Sequence, residues 1–215
     1  MRADTEVMIF DLDGTLFNTK RGIVKAIKKT IEVTGRRELK EDEFDRFIGP
    51  PIQQTFAKVY GLTDEEGKQM ADIFREYYMQ DGYILEADEY PGMRETLAAL
   101  KDRGCRLALA TFKREDMAEK MCRHFGYDAY IDVIHGSDHE GKRTKPDIIK
   151  LCLSDCGCRD TGRAVMIGDS AFDAEGAAKT GVPFIGVTYG FGFSTHEDIL
   201  KYPGAAYIDT PEGLL

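Results

Sequence analysis

The chain has 215 residues, 42% of them hydrophobic and 31% charged, with a formal net charge of −9. That length and apolar fraction suit one α/β domain, or a core carrying a smaller inserted piece. The acidic balance disfavours a nucleic-acid surface, which needs basic stripes against phosphate, and no apolar stretch approaches the ~20 residues of a membrane-spanning helix.

The opening segment, MRADTEV, lacks the apolar run of a signal peptide, so a soluble cytoplasmic protein with no membrane partner is expected. Val7–Phe10 is the first apolar run and reads as a buried strand, followed directly by FDLDGTLFN at residues 10–18. From about Phe17 to Leu85 helical patterns replace strands. Ile23, Ile27 and Ile31 share a stripe that Gly35 stops. The basic clusters Lys25-Lys28-Lys29 and Arg36-Arg37 then fall on a solvated helix face and a helix C-terminus. Thr63 and Glu66 have the spacing of a capping box, Met70, Ile73, Phe74 and Tyr77 follow at helical spacing, and Gly82 is a stop.

The chain returns at Tyr90-Pro91-Gly92. From there the apolar runs Leu107–Ala110, Ile131–Ile134, Ala164–Ile167, Val182–Val187 and Ala206–Ile208 are separated mostly by helical segments, at about 92–103, 114–125, 145–156 and 170–180. Most runs are uninterrupted rather than alternating, as strands covered on both faces should be. The expectation is an α/β fold, a Rossmann-like three-layer core with a parallel sheet, formed by residues 1–16 and 86–215, with residues 17–85 as a helical piece inserted after strand 1. The five cysteines, Cys105, Cys122, Cys152, Cys156 and Cys158, are odd in number and form no C-x-x-C, which fits reduced buried thiols.

Chemistry concentrates where strands end. Asp11 and Asp13 are two apart, so in extended backbone they face one site at the C-terminal end of the first strand. Gly14 allows a sharp turn and Thr15 supplies a hydroxyl and an amide. VMIGDSAFD at 165–173 repeats the pattern, with Asp169 ending a strand and Asp173 one helical turn further on. Two charges ~4 Å apart repel by about 4 kcal/mol at an effective dielectric of ~20. Four converging acids therefore call for a divalent cation, and donors that are all oxygen point to Mg²⁺ rather than Zn²⁺. Thr111 ends another strand and is followed by Phe112 and Lys113, while Lys145 precedes Pro146 at the start of a helix.

This set resembles the haloacid dehalogenase-like superfamily. DLDGT at 11–15 is similar to its first motif, Thr111 to the second, Lys145 to the third, and GDSAFD at 168–173 to the fourth. Ile48-Gly49-Pro50-Pro51, Tyr90-Pro91-Gly92 and Val187–Gly192 resemble the phosphoglycolate-phosphatase-like branch, and the insert resembles that family's helical cap. Phe112 departs from the family, which commonly has Asn or Ser there; one contact would then come from backbone alone. The resemblance implies an aspartyl-phosphate mechanism. Asp11 would be the nucleophile and Asp13 the acid and base. Mg²⁺ would be held by the Asp11 side chain, the Asp13 backbone carbonyl and Asp169, with Asp173 in support. Thr111 and Lys145 would steady the phosphoryl group, and Lys145 would also restrain the charge of Asp11, with Gly14, Thr15, Phe112 and Lys113 beside the substrate. The cap would close over the substrate and select it.

A small phosphorylated metabolite is the expected partner, for a monomer or homodimer. Phosphoglycolate, a nucleoside monophosphate, a small sugar phosphate and pyrophosphate all remain open as substrates. The rival from another class is a receiver-like phospho-acceptor module, against which Asp13, the Asp169/Asp173 pair and the insert argue.

Overall fold

The computed structural model describes residues 5–215, so the reading of residues 1–4 as part of a non-signal N-terminus lies outside the described residues. Two compact units divide the chain: one takes the residues up to Phe17 together with Glu89–Leu215, the other Asn18–Asp88. The strands are β1 (Val7–Phe10), β2 (Phe17–Asn18), β3 (Asp88–Glu89), β4 (Arg106–Arg114), β5 (Val133–Ser137), β6 (Ala164–Gly168), β7 (Phe184–Val187) and β8 (Ala206–Ile208). The α-helices are α1 (Lys20–Thr34), α2 (Ile52–Tyr60), α3 (Asp64–Gln80), α4 (Met93–Asp102), α5 (Glu115–Phe125), α6 (Lys145–Asp155), α7 (Ala171–Thr180) and α8 (His196–Leu200). None of the described helices is long and apolar enough to cross a membrane.

The larger unit is built on a six-stranded sheet in the order β5-β4-β1-β6-β7-β8, with every neighbouring pair parallel. All four residues of β1 are buried, as expected of a strand with neighbours on both sides and helices on both faces. Its alternation splits the core. Val7 and Ile9 join Ala108, Ala110 and Met166 under Ile148, Ile149 and Cys152 of α6 and Ala174 and Ala177 of α7. Met8 and Phe10 point the other way, and the apolar faces of α4 and α5 (Leu97, Leu100, Met117 and Met121) are equally buried. Phe10 stands opposite Leu109 on one side and Ile167 on the other. The chain thus leaves β1 between the ends of β4 and β6, and the Asp11 amide still donates to the Ile167 carbonyl at 2.9 Å. This register makes the two acidic motifs and Thr111 neighbours.

Two strands begin later than the sequence reading places them. β5 begins at Val133, because the Tyr130 amide closes a 3₁₀ turn on the Tyr127 carbonyl, Ile131 donates its amide to that same carbonyl, and the Asp132 carboxylate accepts from the Leu107 amide at 2.8 Å. β7 begins at Phe184, after Pro183, which has no amide to give a ladder. The C-terminal residues Pro211–Leu214 form a 3₁₀ turn.

The smaller unit packs α1, α2 and α3. Ile23, Ile27 and Ile31 are buried along α1, and Gly35 ends it in the left-handed conformation at φ 61°. The Thr63–Glu66 capping box starts α3. Its buried face runs through Gly67, Met70, Ala71, Phe74 and Tyr78, so Tyr78 takes the inward place expected for Tyr77. Gly67 sets that face. A Cβ there would come within 2.8 Å of Ala57 Cβ on α2, so this is where α3 approaches α2 closely. Phe47, Phe56, Phe74 and Tyr78 form a chain of ring contacts with centroids 4.9–6.3 Å apart.

Candidate active site

The loop after β1 turns at Gly14, whose φ of 78° favours glycine. The Leu12 carbonyl accepts from the amides of Thr15, Leu16 and Phe17, and Leu12 and Leu16 are fully buried, so the loop is anchored from beneath. Its acids are held just below the surface, Asp11 at 4% exposure and Asp13 at 7%.

The second motif leaves β6 at Gly168. Asp169 follows, and Ser170 opens α7 with a capping box in which Asp173 Oδ2 accepts from the Ser170 amide and hydroxyl. Carboxylate oxygens of Asp11, Asp169 and Asp173 all lie within 4.8 Å of one another. Lys145, the first residue of α6, reaches into this cluster with Nζ 2.9 Å from Asp11 Oδ1 and 2.6 Å from Asp173 Oδ1. Its helix is fixed by a Thr144–Asp147 capping box, with Pro146 at the second helical position rather than the first. Asp169 is held by backbone: its Oδ2 accepts from the amides of Phe191 at 2.7 Å and Gly192 at 3.1 Å.

Three acids against one lysine leave the cluster short of positive charge. Burial pushes Asp11 up to about 7, with Lys145 opposing and Asp173 and Asp13 adding to the rise. Burial likewise pushes Asp169 up to about 8, helped by Asp173 and Asp11 and opposed by the two amides. For Lys145, burial pulls downward but Asp11 and Asp173 outweigh it and hold the ammonium above its usual value. Asp169 Oδ1 is buried with no hydrogen-bond partner among the described residues.

The structure separates Asp13 from the other three acids. Its Oδ1 meets Lys113 Nζ at 3.0 Å, with both side chains nearly buried. The Asp13 carboxylate lies outside the group formed by the other three and faces a lysine from the end of the adjacent β4; the metal donor that the resemblance implies for Asp13 is its backbone carbonyl. Lys113, expected beside the substrate, is thus the counter-ion of Asp13. Thr111 is buried at the same strand end, with Oγ1 accepting from the Lys113 amide at 3.2 Å. Phe112 turns its ring toward Lys145, with Nζ 5.5 Å from the centroid, and meets Phe172 edge-on. Thr15 is fully buried and its Oγ1 has no partner among the described residues.

Two contributors carry no side-chain signature. The Phe191 and Gly192 amides act through backbone; only the glycines at 190 and 192 hinted at a close approach. Tyr90 and Tyr189 pack with their rings tilted by 54° and centroids 4.6 Å apart, although the sequence offered Tyr90 only as a chain-return marker and part of a family-like motif.

Residues 8–187 match the family model for haloacid dehalogenase-like hydrolases. The chain belongs to that family. A 5'-nucleotidase of Pseudomonas aeruginosa is 36% identical over 86% of this chain and 83% of its own length. A phosphoglycolate phosphatase of Aquifex aeolicus is 30% identical over 81% of each. The crystal structure of a predicted phosphatase from Clostridium acetobutylicum superposes with a TM-score of 0.90 at 31% identity, covering 98% of this chain and 96% of that one. This haloacid dehalogenase-like hydrolase is accordingly an enzyme of the phosphatase group, and the receiver-like alternative is set aside.

Proposed function

We propose that the chain is a Mg²⁺-dependent phosphatase that hydrolyses a small phosphomonoester through a phosphorylated Asp11. The observation that carries this reading is the pairing of Asp11 with Lys145 inside a cluster that also holds Asp169 and Asp173, with a separately neutralised Asp13 two residues away. The residues fit a hard divalent cation. The donors are all oxygens, the cluster is short of positive charge, and Asp169 Oδ1 is buried without a partner. Asp11, Asp169, the Asp13 carbonyl and, in support, Asp173 would hold Mg²⁺, which when bound supplies positive charge to the acids and to the phosphoryl oxygens.

The residues divide the remaining work. An Asp11 oxygen forms a bond to phosphorus while the bond from phosphorus to the leaving oxygen breaks, and Asp13, which enters this step as the carboxylic acid beside Lys113, gives that oxygen its proton. Water then attacks phosphorus, Asp13 takes back a proton, and Asp11 is freed with inorganic phosphate. Lys145 holds one Asp11 oxygen in place and tempers its charge. Lys113 orients Asp13, and Thr111 and Thr15 offer hydroxyls to the phosphoryl oxygens. Positioning and neutralisation are what phosphoryl transfer chiefly demands.

The likeness to the A. aeolicus enzyme supports a phosphoglycolate-like substrate. The likeness to the P. aeruginosa enzyme supports a 5'-nucleotide as the second reading. We place the enzyme in the cytoplasm, acting on a small phosphorylated metabolite with neither nucleic acid nor membrane as partner. The test is phosphate release from p-nitrophenyl phosphate and a phosphomonoester panel with Mg²⁺, repeated in chelator and with Asp11→Asn. Turnover that depends on Mg²⁺ and disappears in D11N is expected. Intact turnover by metal-loaded D11N would remove Asp11 as nucleophile.

A further inference from the structure

β4 carries Thr111, Phe112 and Lys113 into the site, yet the sheet does not hold them in regular register. Ala110 stands opposite His135 of β5 and Arg114 opposite Ser137, so four positions of β4 pass against two of β5. A bulge of this kind re-aims side chains and leaves the ladder interrupted. Glu115, the first residue of α5, closes it. Its Oε2 accepts from the Gly136 amide at 3.1 Å and from Arg143 Nη1 at 2.8 Å, and His135 Nδ1 lies 3.3 Å from the same oxygen. Arg143 Nη1 also donates to the Gly136 carbonyl at 3.2 Å. Glu115, Gly136 and Arg143 thus form a closed ring of contacts. Gly136 fits flush against the bulge: a Cβ there would stand 2.5 Å from the Lys113 carbonyl oxygen and 2.8 Å from Glu115 Cα. Along the chain, the ring begins two residues after Lys113 and ends two residues before Lys145.

We propose that Glu115 is a positioning residue of the reaction: it closes the bulge of β4 and so holds Lys113, and through Lys113 the acid Asp13, against the segment that carries Lys145. The proposal rests on the phosphatase reading above. Lys113 Nζ meets Asp13 Oδ1 at 3.0 Å although the Lys113 backbone lies in the irregular stretch, so its aim depends on what fixes that stretch. The side chains of Glu115 and Arg143 are 34% and 35% exposed, and an ion pair so placed contributes little to stability. Its effect is on geometry. A misplacement of ~1 Å costs a catalytic group on the order of 100-fold in rate, so loosening the bulge is read in turnover more than in melting.

Glu115→Ala removes the acceptor, and Glu115→Gln keeps an oxygen for Gly136 and Arg143. For each, alone and combined with Lys113→Met, the measurements are kcat and KM for p-nitrophenyl phosphate with Mg²⁺, the inhibition constant of inorganic phosphate, and Tm. The expected result for E115A is a folded protein whose kcat falls about tenfold, with KM and the phosphate inhibition constant within about twofold of wild type. E115Q should recover to within about threefold of wild type. In the K113M background E115A should cost less than about twofold more, because the group it aims is already gone. A kcat for E115A within about twofold of wild type overturns the proposal. So does a second tenfold loss on K113M, which would mean an effect that bypasses Lys113, or an E115Q as slow as E115A, which would make charge rather than bonded geometry the cause. Should E115A not fold, Glu115→Asp, which keeps the charge but draws the oxygen back by one carbon, is judged by the same criteria. Wild type and D11N are run alongside. A wild type without turnover, or an active D11N, removes the phosphatase reading and this proposal with it. With an active wild type and an inactive D11N, the variants bear on Glu115 alone.

Discussion

Each lysine of the site answers to particular acids, and the two are not equivalent. Lys145 is 3% exposed and touches both Asp11 and Asp173, whereas Lys113 meets Asp13. Lys145→Met would leave three buried carboxylates facing one another. Removing one partner of a buried pair costs about 3–5 kcal/mol. Urea denaturation in chelator should show a loss of that order for K145M, partly restored by Mg²⁺, together with loss of turnover. Lys113→Met should cost less stability and still reduce kcat about tenfold or more, because Asp13 loses the group that orients it; equal stability losses in the two variants would contradict this division. At this scale the sequence was readable in part. Spacing placed Asp11 with Asp13 and Asp169 with Asp173. Spacing could not say which lysine serves which acid, since Lys145 is 134 positions from Asp11; only the family resemblance assigned Lys145 to Asp11, and nothing in the sequence paired Lys113 with Asp13.

At the scale of elements, what matters is how closely loops approach. The turn after β7 delivers the Phe191 and Gly192 amides to Asp169 only because Gly190 lies flat against Asp169 and Gly14. Gly190→Ala inserts a methyl into backbone and a carboxylate stem, neither of which can swing away. We expect G190A to fold, since the clash is confined to the loop, and to lose Mg²⁺ affinity and at least about tenfold in kcat/KM, on the order seen for misplaced catalytic groups. Isothermal titration with Mg²⁺ checks the first and steady-state kinetics the second. The strands were legible because both-face burial writes itself as continuous Val, Ile and Met. Helix existence was legible too, but the inward face of α3 was misjudged by one residue. Tyr77 and Tyr78 are chemically alike, and what selects Tyr78 is the close approach at Gly67, a packing fact. β5 was displaced because Ile131, apolar and buried, belongs to a turn.

Over the whole molecule, the acid cluster ties stability to pH and to metal. Asp11 and Asp169 are raised in the folded state from 3.8 to about 7 and about 8, so without metal the folded chain binds more protons there than the unfolded one. The stability this confers is complete below about pH 4 and is lost as the pH rises through 7 and 8, a change on the order of a few kcal/mol. A divalent cation relieves the same repulsion. The rise in Tm on adding Mg²⁺ should therefore be larger at about pH 8 than at about pH 6; a rise independent of pH would mean that the ion binds elsewhere. Exchanging Asn18–Asp88 for the equivalent segment of a relative should move the substrate preference on a phosphomonoester panel while leaving p-nitrophenyl phosphate turnover; an unmoved preference would place the selector in the larger unit.

The position of β1 has one more effect. Val7 pairs with Arg106 on one side and Ala164 on the other, so the strand bearing the nucleophile waits for neighbours made much later. At ~5–20 residues per second on the ribosome, that delay is on the order of ten seconds or more. Throughout it the nascent chain carries an apolar VMIF segment with both edges open, the kind of stretch a chaperone holds. Catalytic competence therefore arrives as a late event of synthesis, after β6 has joined β1 and the turn after β7 has reached Asp169.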